Sequence, residues 1–250
     1  MKILFLASGS KGNATLIDSG NTLLLIDMGI SRKLLASGVS ALGRELGDIE
    51  GVLLTHEHSD HIKGIKYIAK DIPIYASAGT IDKHVDVIVN PDEEFEVGDF
   101  AIMPFSSSHD AANPLNFLIR CGKEKLGYVT DTGLIFDKGL ALLKDCDYYL
   151  MESNHDRAME RKSKRPQMLI QRIMGDLGHL SNIDSASYIC ELIGPHTKGI
   201  YLGHLSDDCN TPELAIETYQ RVFRDYGIDY TKYDIRCTSQ TDFVKGGSWE

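Results

Sequence analysis

The chain has 250 residues, 42% of them hydrophobic and 25% charged, with a formal net charge of -10. That length can bury a substantial core, and the composition is that of a folded globular protein. The acidic balance excludes nucleic-acid binding through bulk charge, though not a local basic groove, and no run of about 18 apolar residues is present to form a membrane-spanning helix.

The N-terminal run "KILFLA" breaks at the Gly/Ser turn "SGSKGN". It is too short for a signal peptide and fits a buried first strand. Five cysteines, Cys121, Cys146, Cys190, Cys209 and Cys237, form no CxxC pair. They fit reduced thiols, so a cytoplasmic location is expected. Two further apolar runs surround "SGN" in "ATLIDSGNTLLLIDMG", and a helix is expected from about Ser31 to Leu46. "EGVLLT" has the pattern of a buried strand, "IKGIKYIAK" that of an amphipathic helix, and "IPIYAS" that of another strand.

From Phe95 to Val129 the pattern is β-rich, and "DYYLMES" and "KGIYLGHLS" add later strands. Helices are expected near Pro166–Gly175, Ile183–Ile193 and Pro212–Tyr226. Strands thus open each half and helices follow, with neither linker nor low-complexity segment. The simplest architecture is one domain over residues 1–250, an α/β fold of two facing sheets with helices outside.

The chemistry concentrates after "EGVLL". "THEHSDH" places His56, His58, Asp60 and His61 within six residues, in a loop at a strand end. Alternate residues of an extended chain point the same way, so His56 and His58 can grip one ion. Asp60 and His61 follow a bend and can face a neighbouring position. Imidazoles suit zinc and other first-row ions, and carboxylates favour harder ions such as manganese. His109, Asp131 and His204 share that context, each closing an apolar strand run. A solvated polar loop would not repeat histidine in this way.

These segments resemble the ordered motifs of the metallo-β-lactamase-fold hydrolases: "THEHSDH", "SSSHDA", "YVTDTG" and "LGHLS". The resemblance covers essentially the whole chain. It is closest to the YycJ-like (WalJ-like, VicX-like) exonuclease branch, through "LASGSKGNATLI", "LIDMGIS", "ESNHD" and "GHLSN". It implies an αββα four-layer sandwich and two divalent metal ions, zinc or manganese, with iron also compatible. His56, His58 and His109 would hold the first ion, Asp60, His61 and His204 the second, with Asp131 bridging. Asp60 would also orient the attacking water. Glu152 and His179 resemble the Glu/His pair thought to assist the leaving group in tRNase Z-like nucleases of this fold, the carboxylate orienting an imidazole that acts as general acid. Glu57, between the first two histidines, departs from many small-molecule hydrolases of the fold.

Substrate contacts are expected from several places. Ser10 or Asn13 of the "SGSKGN" turn touches a phosphate, or the turn is an ordinary hairpin. His155 contacts a phosphate or caps its segment. Residues 157–172 carry Arg157, Arg161, Lys162, Lys164, Arg165 and Arg172 against one acid, Glu160. Such a local excess suits a phosphate backbone, with Arg161, Lys162, Lys164 and Arg165 as the candidate contacts. The sequence holds neither the long insertion of β-CASP enzymes nor the protruding arm of tRNase Z. The expected function is therefore a metal-dependent phosphodiesterase acting on nucleic acid, a DNA exonuclease above all. The alternative is a small-molecule metallohydrolase acting on a cyclic phosphodiester, thioester or lactone. A non-catalytic metal-binding protein would not need the complete ligand set.

Overall fold

A computed structural model describes residues 1–81 and 85–249. In chain order the elements are β1 Lys2–Ala7, β2 Ala14–Asp18, β3 Leu23–Ile26, α1 Arg32–Ala41, β4 Ile49–Leu53, α2 Ser59–Ile62, β5 Ile74–Ala76, β6 Val87–Ile88, β7 Phe95–Val97, β8 Phe100–Ser106, β9 Leu115–Cys121, β10 Glu124–Val129, α3 Asp137–Leu142, β11 Tyr148–Glu152, α4 Arg157–Lys162, α5 Gln167–Ile173, α6 Asn182–Leu192, β12 Gly199–Gly203, α7 Pro212–Asp225, β13 Asp234–Cys237 and β14 Val244–Gly247. They fall into two compact units, one of residues 1–106, 111–124 and 239–250, the other of residues 107–110 and 125–238.

The first unit is built on a mixed sheet in the order β14-β1-β2-β3-β4-β5-β6. Its β14, β1, β2 and β3 pair antiparallel, whereas β3, β4, β5 and β6 pair parallel. Strands β1, β2 and β3 are near-continuous apolar runs and are buried almost throughout. Leu35 and Val39 of α1 join their core. Ser31 caps α1 by accepting from the Leu34 N–H, and Gly43, at φ +74°, ends it with its amide on the Ser40 carbonyl. β7, β8 and β9 form an antiparallel meander in the same unit.

The second unit orders its parallel strands β13-β12-β11-β10. All five residues of β11 are buried. Parallel strands deliver their C-terminal ends to one edge, the usual place for a site in such sheets. The register sets Met151 against both Val129 and Leu202, and Glu152 against Gly203. The residues just past β10, β11 and β12 are therefore neighbours.

One expectation is corrected. "IKGIKYIAK" is not a helix; only a 3-10 turn at Ile65–Tyr67 forms beyond α2. A continuing helix would bond the Gly64 N–H to the Asp60 carbonyl. That carbonyl instead accepts from Asn13 N (2.7 Å), and Gly64 N donates to Met28 O (2.7 Å). Tertiary pairing thus outweighs the local periodicity.

Leu25 lies fully buried in β3. Leu25→Ala should destabilise the chain by about 2–5 kcal/mol, measured by urea unfolding.

Candidate metal centre

Each unit gathers part of the expected ligand set around one buried carboxylate. In the first unit this is Asp27, directly after β3. It holds a left-handed backbone (φ 57°) and is wholly buried. It accepts from Thr55 N (2.9 Å), Thr55 Oγ1 (3.0 Å) and His61 Nδ1 (2.8 Å). Thr55 Oγ1 lies 3.0 Å from His56 Nδ1. With its hydrogen committed to Asp27, the hydroxyl accepts from His56. Both imidazoles thereby hold their proton on Nδ1 and keep the Nε2 lone pair, as a metal ligand requires.

The ring centroids of His56 and His58 lie 4.5 Å apart, and those of His56 and His61 4.1 Å. Asp60 Oδ2 is 3.5 Å from His61 Nε2. Asn13 is buried, with its Nδ2 3.2 Å from Asp60 Oδ2 and 2.9 Å from His61 Nε2, and its Oδ1 accepts from Gly9 N. Ser10 is exposed on the adjoining turn. Glu57 Oε1 accepts from Ala112 N (2.8 Å), so this carboxylate tethers the loop before β9. The backbone is packed as closely as the side chains. A Cβ on Gly29 would lie 1.5 Å from the Asp60 carbonyl oxygen.

In the second unit the central carboxylate is Glu152, fully buried at the end of β11. Its Oε1 accepts from His179 Nδ1 (2.8 Å) and His204 Nδ1 (2.9 Å). Its Oε2 accepts from Thr132 N (2.9 Å) and Leu180 N (3.1 Å). Burial pushes this carboxyl up, but the His179 charge and the hydrogen bonds from His179 and His204 outweigh it, holding the group at about 2. Asp131, Glu152, His179 and His204 each offer one ligand atom within 4.8 Å of the others.

His109 donates Nδ1–H to the Gly178 carbonyl (3.1 Å), and its Nε2 lies 3.9 Å from Asp131 Oδ1. Burial lowers its pKa against the pull of the Asp131 charge, a shift toward the neutral ring that metal binding uses. Asp131 and His204 both hold left-handed backbone, φ 48° and 55°. His109 lies three residues beyond the end of β8 rather than at the strand's last residue.

Among the candidate substrate contacts, the His155 ring is buried at 1% exposure, and its backbone bridges to Ser181. Arg161, Lys162 and Lys164 are exposed, and among the described residues no ion pair holds them. Arg165 is half-buried and committed to Glu160 (2.8 Å) and Asp208 (3.1 Å). Glu160, the one acid of that strip, is buried inside α4.

The sequence reading passed over Asp27, Thr55, Asn154 and Asn210. Asn154 Nδ2 bonds the His204 carbonyl (2.8 Å), and Asn210 Nδ2 bonds the Ser153 and Asn154 carbonyls (2.8 and 3.1 Å). Asp27 ends an apolar strand run as Asp131 does, and that signal could have found it.

Several known proteins are similar to this chain. Residues 16–204 match the Beta-lactamase superfamily domain. Exodeoxyribonuclease YycJ of Bacillus anthracis is 36% identical over 234 residues, 89% of each chain. Exodeoxyribonuclease WalJ of Streptococcus pneumoniae serotype 2 is 34% identical over 98% of this chain and 97% of its own. The chain belongs to this superfamily and to its YycJ/WalJ family. Among solved structures, the metallo-β-lactamase fold protein YhfI from Bacillus subtilis aligns with a TM-score of 0.72, at 17% identity over 98% of this chain and 99% of that one. The α/β sandwich class expected from the sequence is therefore the class observed, and the protein is a hydrolase of this superfamily. The imidazole and carboxylate donors in each unit fit divalent metal ions. No helix among the described residues is long and apolar enough to cross a membrane.

Glu152→Gln places an amide N–H where two imidazole donors need an acceptor. It should destabilise the metal-free chain by about 3–5 kcal/mol in urea unfolding. Gly29→Ala should displace Asp60 and His61, and lower the divalent ions retained after dialysis.

Proposed function

We propose that the two units work as one catalytic domain, a DNA exonuclease with two divalent ions, zinc or manganese. In this reading His56, His58 and His109 would hold one ion and Asp60, His61 and His204 the other, with Asp131 available to both. Bound ions would acidify water and screen the phosphate charge. Asp60 orients the water that attacks phosphorus. As the P–O bond to the leaving group breaks, His179 delivers a proton from Nε2 to that oxygen. Glu152, on Nδ1, stabilises the imidazolium beforehand and fixes the ring.

The Glu152–His179 hydrogen bond is the observation that carries this reading. An imidazole held by a fully buried carboxylate, beside Asp131 and His204, is a proton donor suited to an alkoxide leaving group. The full-length likeness to two exodeoxyribonucleases supports DNA as the substrate. Arg161, Lys162 and Lys164 offer exposed charge for its phosphates, with Arg165 bracing the segment through Glu160 and Asp208. Ser10 is the exposed member of the first turn and a further phosphate contact, while Asn13 steadies Asp60. His155 backs the segment from within. The cytoplasm is the compartment we assign to this activity.

The test is a substrate panel with added manganese or zinc: linear duplex and single-stranded DNA, RNA, a cyclic nucleotide, a thioester and a lactone. DNA should be degraded from an end. Asp131→Ala and His58→Ala should abolish this, and His179→Ala should lower kcat by about 10²–10⁴. Neutralising Arg161, Lys162 and Lys164 together should raise KM and flatten its salt dependence. Inert DNA and RNA alongside rapid hydrolysis of a thioester or cyclic nucleotide would overturn the assignment.

A further inference from the structure

The turn "SGSKGN", residues 8–13, follows β1 and ends at Asn13, whose side-chain amide reaches Asp60 and His61. Two polar backbone atoms of this turn are met by one side chain from the far end of the chain. Lys11 N donates to Gln240 Oε1 (2.9 Å), and Gln240 Nε2 donates to the Gly12 carbonyl (2.9 Å). A backbone N–H can only donate and a carbonyl can only accept, so these two partners fix the orientation of the amide. A carboxylate at this position would lack the donor, and an ammonium would lack the acceptor. The neighbouring Ser239 adds a third bond, its carbonyl accepting from Ser8 N (3.1 Å).

From the turn, contact passes to the ligand loop without slack. A Cβ on Gly12 would lie 2.3 Å from the Gly29 carbonyl oxygen, and one on Gly29 would lie 1.5 Å from that of Asp60. Backbone bonds follow the same course. Gly29 N donates to the Asn13 carbonyl (2.8 Å), and Asn13 N donates to the Asp60 carbonyl (2.7 Å). The Lys63 ammonium, three residues past Asp60, donates to the Lys11 carbonyl. Asn13 also closes the turn on itself, its Oδ1 accepting from Gly9 N (2.8 Å) and its Nδ2 donating to the Gly9 carbonyl (3.1 Å). Segments packed this closely transmit a displacement rather than absorb it.

We propose that Gln240 is a positioning residue for Asp60. Its amide sets where the turn stands, and through Asn13 the turn sets where the Asp60 carboxylate stands. This rests on the role of Asp60 given above, the orientation of the attacking water. Rate falls steeply with small errors in such geometry, whereas the affinity of exposed cations for phosphate does not depend on it. Gln240 is half-buried and outside the apolar core, so its loss leaves the packing of the sheet intact.

The test compares Gln240→Ala, Gln240→Met and Thr241→Ala with the unsubstituted full chain, all loaded with zinc. Gln240→Met keeps the length of the side chain and offers neither bond. Thr241→Ala changes the neighbouring side chain, which bonds Ser239 and Asp242 rather than the turn. Amide hydrogen exchange followed by NMR reads the coupling apart from turnover. Both Gln240 variants should speed exchange at Asn13 N and Gly29 N by about tenfold, with the thermal midpoint shifted by no more than about 4 °C. In DNA hydrolysis both should lower kcat by about tenfold and leave KM unchanged. Thr241→Ala should alter neither exchange nor kcat. Unchanged exchange, faster exchange with kcat unchanged, normal values in Gln240→Met, or an equal effect of Thr241→Ala would each overturn the role of Gln240. A chain that leaves DNA intact but hydrolyses a cyclic nucleotide or thioester, with that kcat lowered by both Gln240 variants, would uphold the role of Gln240 and overturn the exonuclease assignment alone.

Discussion

A fully buried carboxylate survives in a folded protein only when donors surround it, because its lost hydration must be replaced bond by bond. Glu152 meets that demand with four donors drawn from separate parts of the chain: Thr132 N past β10, His179 Nδ1 and Leu180 N before α6, and His204 Nδ1 past β12. Satisfying one charge therefore fixes three segments and two imidazole rings together. Asp27 does the same in the first unit, where one carboxylate sets Thr55 and the Nδ1 proton of His61 directly, and the Nδ1 proton of His56 through Thr55. His56, His61, His179 and His204 are thus held, directly or through Thr55, by two charges that are not themselves exposed to solvent.

The backbone contributes by accepting strain. Of the five non-glycine residues with positive φ among those described, Asp27, Asp131 and His204 belong to these clusters. A residue in that region is disfavoured by about 1–3 kcal/mol. Each follows the last residues of a parallel strand, so the strain turns a side chain across the strand ends at the point where the ladder stops. Packing around Gly29 and the Asn13–Asp60 backbone bond then leave the loop after β4 little freedom. Such rigidity is what a metal site needs if its donors are to be preorganised before the ion arrives.

The strands were legible because parallel and buried strands leave near-continuous apolar runs, as in "KILFLA" and "DYYLME". The helices after Pro166, Asn182 and Pro212 were legible from periodicity and caps. The candidate ligand loop stood out in the sequence because histidine at that density has little use other than metal binding. What escaped depended on partners distant in sequence. Asp27 draws its role from Thr55 and His61, some thirty positions away, and Asn154 draws its role from His204. The helix expected over "IKGIKYIAK" failed for the same reason, since Asn13 takes the carbonyl that the helix would have used. The basic strip was visible as composition. Its division into braced Arg165 and exposed Arg161, Lys162 and Lys164 depends on the burial of Glu160, which composition does not carry.

The proposed centre takes two ions. The most direct measurement is the number of zinc or manganese ions bound per chain at saturation, by elemental analysis of dialysed protein, alongside Asp131→Ala. The expected result is two per chain, falling in the variant as DNA hydrolysis is lost. A saturating value of one in a chain that hydrolyses DNA at full rate, unchanged by Asp131→Ala, would contradict the two-ion centre.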